Sequence, residues 1–156
     1  MPAPLRSANV MIVEDDPDHA ELARRTIADQ DGANAVTWFA EGAAALEHLR
    51  AAVAGGTGES GEPVPLPDLV LLNLRASRRD GIDVLAEIKH DPRLKAIPVV
   101  AFSDSGDAAD AALAYRHHAN SCLAKPASRD DLARMMRDVV RYWLAWNRPA
   151  PAPAPR

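Results

Sequence analysis

Short runs of apolar residues alternate along the chain with longer segments in which apolar positions recur at helical spacing. Strands that are covered by helices on both faces have this almost continuous apolar character. The pattern predicts five such strands, at residues 9–13, 35–39, 68–73, 97–102 and 121–124. The third run is almost wholly apolar, which predicts that its strand lies in the middle of the sheet.

A segment with helical spacing follows each predicted strand. The first helix is expected to begin after Asp16, whose carboxylate can cap it, with Pro17 in its first turn. The other helices are expected at residues 41–53, from Asp80-Gly81 to Asp91, at 107–117 and at 128–146. Strands that alternate with helices predict a parallel sheet with helices on both faces. Residues 55–67 are rich in Gly and Pro and are predicted to form a flexible surface loop.

The composition narrows the class of protein. The chain has 156 residues, the size of one domain, and its 18 basic and 22 acidic residues give a formal net charge of -4, which argues against a nucleic-acid partner. Neither a signal peptide nor a membrane span is predicted, and a single cysteine fits a reducing cytoplasm. We expect an extension at residues 1–7, the domain at 8–146 and a disordered Pro/Ala tail at 147–156.

Polar residues stand where four of the predicted strands end. The acidic pair Glu14-Asp15 follows the first strand, Asn73 ends the third, Ser103 follows the fourth and Lys125-Pro126 follows the fifth. A parallel sheet brings these ends to one edge, where ligands bind in such folds. Acids suit Mg2+, and a lysine beside a hydroxyl suits a phosphoryl group.

This order and spacing of residues resembles the receiver domain of bacterial response regulators, the proteins that accept phosphate in two-component signalling. The resemblance covers about residues 8–146 and implies a flavodoxin-like (βα)5 fold, an α/β architecture with a parallel five-stranded sheet and helices on both faces. The long second loop and the aromatic last helix look most like the response regulators that are paired with bacterial phytochromes. By this resemblance the protein is a stand-alone signalling module and not an enzyme.

The resemblance also implies roles for the residues at the strand ends. Ser103 is the switch residue, Lys125 contacts phosphate, and Pro126 is a candidate for a cis peptide bond. The metal ligands implied are Glu14, Asp15 and the backbone carbonyl of Arg75.

Two residues depart from the family pattern. Asn73 occupies the position of the phosphate-accepting aspartate, and a carboxamide is an uncharged and far poorer nucleophile. Cys122 stands where the family commonly has Tyr or Phe, three residues before the lysine. We therefore expect no phosphorylation at Asn73, no required cofactor and only weak binding of Mg2+. The interpretation is an atypical, phosphorylation-independent receiver that acts by protein–protein binding, with a sensor histidine kinase, such as a bacterial phytochrome, as its partner.

An alternative hypothesis is a phosphotransfer receiver that a histidine kinase phosphorylates on another carboxylate, Asp15 or Asp16. A separate expectation concerns the last helix, where Tyr142, Trp143 and Trp146 lie near the end and extend the apolar stripe beyond the sheet. An overhanging aromatic patch favours a partner surface. We expect the protein to form a homodimer through this region.

Overall fold

A computed structural model of the chain describes residues 7–75, 80–104 and 106–151. Residues 1–6 of the predicted extension and 152–156 of the predicted tail lie outside the described residues. Five strands alternate with five helices. The strands are β1 (Asn9–Val13), β2 (Ala35–Phe39), β3 (Leu69–Asn73), β4 (Val99–Ser103) and β5 (Ser121–Ala124). The helices are α1 (Pro17–Ala28), α2 (Gly42–Val53), α3 (Asp80–His90), α4 (Ala108–Arg116) and α5 (Arg129–Arg141), and a π-helical turn, Tyr142–Trp146, continues α5.

The strands form one parallel sheet in the order β2-β1-β3-β4-β5. The predicted fold class is therefore confirmed, and every residue of β3 and β4 is buried, as their apolar sequences predict. The chain reverses direction across the sheet between β1 and β3. Because all the strands are parallel, the carboxyl ends of β1, β3, β4 and β5 lie along one edge.

Alternation along the strands divides the core into two clusters. Met11, Val13, Val70 and Leu72 face α2, α3 and α4, whereas the neighbouring strand positions, such as Ile12, face α1 and α5. Because successive strand residues point to opposite faces, each helical layer packs on every second residue. The sheet is thereby fixed between two helical layers.

Two segments differ from the sequence-based expectation. Residues 55–67, predicted as a flexible loop, contain a tight hydrogen-bonded turn in which the Gly58 N–H donates to the Glu62 carbonyl at 2.9 Å, beside an isolated bridge between Thr57 and Pro63. The last helix changes from α to π geometry at Tyr142. In the described part of the chain, no helix is both long enough and apolar enough to cross a bilayer.

Candidate functional site

The end of β1 supplies one buried carboxylate and one helix cap. The Asp16 side chain accepts the N–H groups of Asp18 at 2.9 Å and His19 at 3.4 Å, and Pro17 is the first residue of α1, so the predicted cap is confirmed. Glu14 is 6% exposed, and its Oε1 accepts the Asp16 N–H at 3.1 Å. On the open edge of the sheet, the Trp38 indole donates to the Glu14 carbonyl at 2.7 Å. Hydrogen bonds from Asp16 and Trp38 therefore hold the side chain and the backbone of Glu14 in place.

The Asn73 carboxamide lies at the centre of an acidic cluster. Its Nδ2 is 3.0 Å from Glu14 Oε1, 3.4 Å from Asp15 Oδ1 and 3.2 Å from Asp104 Oδ2. Its Oδ1 accepts the backbone N–H of Arg75 at 3.1 Å. Rotating the amide by half a turn would aim its oxygen at carboxylates and its NH2 at another donor. Both halves of the hydrogen-bond pattern therefore select the same orientation.

Lys125 supplies the positive charge of the site. Its Nζ is 2.7 Å from Glu14 Oε2 and 3.2 Å from Asp104 Oδ1, and its side chain is only 6% exposed. It also contacts His19 Nδ1 at 2.9 Å. Because an ammonium group has no acceptor, the contact requires the lone pair of the imidazole at Nδ1. Two of the contacts were not predicted, because neither Asp104 nor His19 was among the candidate residues.

Ser103 has a different environment from the one expected of a switch residue. Its hydroxyl donates to Oδ2 of Asp110 at 2.9 Å, on the inner face of α4. Asp110 also accepts the Arg75 guanidinium, with Nη2 at 2.6 Å and Nε at 3.2 Å. This ion pair raises the pKa of Arg75 through its hydrogen bond to Asp110. Sequence reasoning gave no role to the Arg75 side chain or to Asp110.

Gly81 shows how closely α3 approaches the end of β3. A Cβ at this position would overlap the Asn73 carbonyl oxygen and lie 2.8 Å from the Leu74 carbonyl group. No side chain larger than hydrogen fits without moving the backbone. The glycine in the Asp80-Gly81 pair is thus required by the contact that places α3 against the Asn73 backbone.

Two further expectations are corrected or refined. The peptide bond before Pro126 is trans, and the described residues contain no cis bond, so the cis candidate is wrong. Trans is the favoured isomer of an X–Pro bond. Cys122 is half-buried on β5, and its pKa is raised by burial and by the charge of Asp110. A tyrosine does lie beside it: the Tyr115 hydroxyl, from α4, accepts the Cys122 N–H at 3.2 Å.

The side chains of Glu14 and Asn73, as they are arranged here, do not fit as ligands of a magnesium ion. The group that faces the carboxylates from the end of β3 is an N–H donor, whereas Mg2+ requires oxygen ligands. Both carboxylate oxygens of Glu14 already accept hydrogen bonds, from Asn73 and from Lys125. A cation here would have to displace the Asn73 amide from its hydrogen bonds.

Comparison with known proteins identifies the family. The sequence matches the response regulator receiver domain over residues 10–137. The chain belongs to that family. Receivers are the signalling modules of two-component systems, so the expected family and its role in two-component signalling are confirmed.

Individual relatives and solved structures show which receivers the chain resembles. The receiver is 41% identical over 145 residues to the probable methanogenesis regulatory protein FilR2 of Methanothrix harundinacea, which covers 93% of this chain and 88% of the relative. It is 33% identical over 135 residues to the response regulator Rcp1 of Synechocystis, and the match covers 86% of this chain and 88% of the relative. The crystal structure of the phosphorylated cyanobacterial phytochrome response regulator RcpA matches with a TM-score of 0.81 at 31% identity, over 92% of this chain and 99% of that one. The expected likeness to phytochrome response regulators is confirmed.

The aromatic residues at the end of the receiver divide into two kinds. Tyr142 is 51% exposed and Trp146 is 71% exposed. Trp143, in contrast, packs against the core cluster between the sheet, α1 and α5, and makes an edge-to-face contact with Tyr142 at 5.1 Å. Of the three residues expected to form an interface, two lie open on the surface, and the third packs on the core and contacts Tyr142.

Proposed function

We propose that this receiver acts by protein–protein binding and is not phosphorylated at Asn73. The observation that carries the proposal is the Asn73 carboxamide, whose NH2 group donates to carboxylate oxygens where the family has the accepting aspartate. An amide has no anionic oxygen for attack on a phosphoryl group. Its nitrogen is also a poor nucleophile because the lone pair is delocalised.

The hydrogen bonds of Asn73 support a site that is complete without a phosphoryl group or a metal. Glu14, Asp15 and Asp104 bring three negative charges together, and Lys125 brings one positive charge. The amide donors of Asn73 partly neutralise the remaining repulsion, as a bound cation would. We expect Mg2+ to bind weakly for the same reason.

A sensor histidine kinase is the partner that we propose, with a bacterial phytochrome as the specific candidate. Membership of the receiver family supports the kinase, and the likeness to a cyanobacterial phytochrome response regulator supports the phytochrome. A receiver that binds a kinase but accepts no phosphate at Asn73 competes with ordinary receivers for that kinase. No nucleic-acid or membrane partner is proposed.

We also propose that two copies pair through the end of the last helix. Tyr142 and Trp146 support this part of the proposal, because large aromatic side chains exposed together mark interaction surfaces. Light scattering on wild type and on Trp146→Ser is the test. A dimer that becomes a monomer on substitution is expected; a monomeric wild type would contradict the pairing.

A second candidate function is phosphotransfer through Asp15. Its carboxylate is exposed, and Oδ1 lies 3.4 Å from the Asn73 amide at the edge of the site. Asp16 is less suited, because its carboxylate accepts the backbone N–H groups that begin α1. Both carboxylates follow β1 and neither ends β3, so neither occupies the position that the family phosphorylates.

The intact mass of the protein after incubation with Mg2+ and acetyl phosphate distinguishes the two functions. Wild type is expected to gain no phosphoryl mass, whereas an Asn73→Asp control is expected to gain one. An adduct on wild type that Asp15→Asn abolishes would replace the first proposal with the second. Capture of a histidine kinase by unphosphorylated wild type, with an ordinary receiver as competitor, tests the binding function.

A further inference from the structure

Asp110 is a buried carboxylate that lies outside the acidic cluster at Asn73. Its side chain is 4% exposed, on the face of α4 that also carries the buried Ala114. An ionised group in such a place is stable only when it is paired and hydrogen-bonded. Its partners therefore determine where α4 can lie on the sheet.

The partners of Asp110 come from the ends of two neighbouring strands. Arg75, just beyond β3, approaches Oδ1 with Nη2 at 2.6 Å and Nε at 3.2 Å. Ser103, the last residue of β4, donates its hydroxyl to Oδ2 at 2.9 Å. Arg75 Nε also lies 3.3 Å from Oδ2, so the carboxylate accepts donors from the ends of both strands.

Arg75 connects this group to the acceptor position. Its backbone N–H donates to Oδ1 of Asn73 at 3.1 Å, while its side chain holds Asp110. One residue therefore orients the amide at the end of β3 and anchors the helix beyond β4. The hydroxyl of Ser103 has one proton to donate, and it donates that proton to Asp110.

We propose that Arg75 and Asp110 are positioning residues whose ion pair holds the Ser103 hydroxyl against α4 and fixes that helix on the sheet. Only the consequence of this inference rests on the proposed function. If Asn73 is not phosphorylated, α4 keeps one position and presents the same surface to a partner. The Arg75–Asp110–Ser103 group is called the α4 latch below. The latch itself requires no phosphoryl donor.

Hydrogen exchange of the α4 amides in the full chain tests the latch. Arg75→Ala removes the guanidinium that pairs with a buried carboxylate, so the amides of residues 108–116 are expected to exchange on the order of tenfold faster or more, with no such change in β3. The double variant Arg75→Ala/Asp110→Asn is expected to recover most of the protection. A neutral carboxamide needs no counter-ion and still accepts the Ser103 hydroxyl through its oxygen.

Recovery in the double variant separates positioning from simple packing, because a lost packing contact is not restored by a second neutral substitution. Failure to recover, or α4 exchange within about twofold of wild type in Arg75→Ala, overturns the proposal. Arg50→Ala is the matched control: it breaks another two-pronged pair, with both contacts to Glu87 at 2.9 Å, on the exposed side of α2 and α3. It is expected to leave α4 unchanged.

Ser103→Ala tests the latch from its other side if Arg75→Ala does not fold. It removes one donor and no charge, so a smaller acceleration confined to α4 is expected. Unchanged exchange in Ser103→Ala would contradict the latch. None of these measurements uses acetyl phosphate, so a phosphoryl adduct on wild type would refute the proposed function while leaving the latch to be judged on exchange alone.

Discussion

Two lysines at opposite ends of the sheet show how the same chemical group serves different purposes. Lys125, at the carboxyl end, donates to Glu14 and contacts Asp104 and His19. Lys89, at the amino end, also makes three contacts, but its acceptors are the neutral carbonyls of Lys95 and Ile97 and the side-chain oxygen of Asn120, at 2.8 to 3.0 Å.

The difference lies in the acceptors and not in the number of bonds. At the amino end, a half-buried ammonium ties α3 to the loops before β4 and β5, and burial lowers its pKa. At the carboxyl end, an almost fully buried ammonium is paired with carboxylates that crowd together around Asn73. Concentrated like charge is costly in a structure and is common at functional sites, so the proposed function lies at this end of the sheet. At the other end, the three acceptors of Lys89 carry no charge.

The same substitution at both lysines breaks this comparison most directly. Lys125→Met is expected to lower the free energy of unfolding by about 3 kcal/mol, because Glu14 and Asp104 lose the charge between them. Lys89→Met is expected to cost about 1–2 kcal/mol, since it leaves only neutral acceptors unpaired. Urea denaturation at pH 7 measures both. Equal losses would remove the distinction between the two ends.

Asn73→Asp sharpens the comparison by adding charge at one end only. A fourth carboxylate beside Glu14, Asp15 and Asp104 is expected to lower the stability of the metal-free protein by about 2 kcal/mol. Mg2+ is expected to restore more stability to this variant than to wild type, because a ligand stabilises the form that binds it. Thermal unfolding with and without Mg2+ is the measurement, and an equal response of the two proteins would contradict the expectation.

The residues at the carboxyl end of the sheet could be predicted because each directly follows or ends a strand that the apolar pattern reveals. Once β1, β3 and β5 are recognised, Glu14, Asn73 and Lys125 must meet at one edge. The start of β4 was misplaced by two residues. Ile97 donates to the Leu94 carbonyl in a turn, and Pro98 has no N–H for a ladder, so the strand begins at Val99.

The unpredicted contacts depend on geometry that no short sequence pattern contains. Asp104 reaches Lys125 from the loop after β4, and His19 reaches it from the first turn of α1. The inward orientation of Asp110 could not be inferred, because α4 is rich in alanine and has little contrast between its faces. Its partner Arg75 follows β3, and no sequence motif around it indicates an ion pair with α4. Charge pairs between distant segments become visible only in three dimensions.

The pH dependence of Lys89 tests the amino end with a smaller effect. Burial lowers its pKa in the folded protein, so between that lowered value and the ordinary lysine pKa the unfolded chain binds more protons. Wild type is therefore expected to gain stability relative to Lys89→Met as the pH rises through this window. Denaturation of both proteins from pH 8 upward measures the difference. A gap that narrows with rising pH would show that the sign is wrong.

The smallest expected effect comes from His118, also on the amino side of β5. Its φ of 68° is left-handed, directly after the end of α4, where glycine is favoured. His118→Gly is expected to raise the free energy of unfolding by about 0.5 kcal/mol, after the greater entropy of the unfolded glycine is deducted. His118→Ala keeps the strain and serves as the control. Urea denaturation should give no gain for the alanine variant.

The Tyr115 hydroxyl limits how other chains can join this molecule. β5 is an edge strand, and such strands offer unpaired N–H groups to which a foreign strand can add. Tyr115 accepts the Cys122 N–H and so occupies one of these groups from the outside. A foreign strand that adds at this edge must first displace the tyrosine hydroxyl from the Cys122 N–H. The same contact therefore disfavours aggregation by edge-to-edge strand pairing.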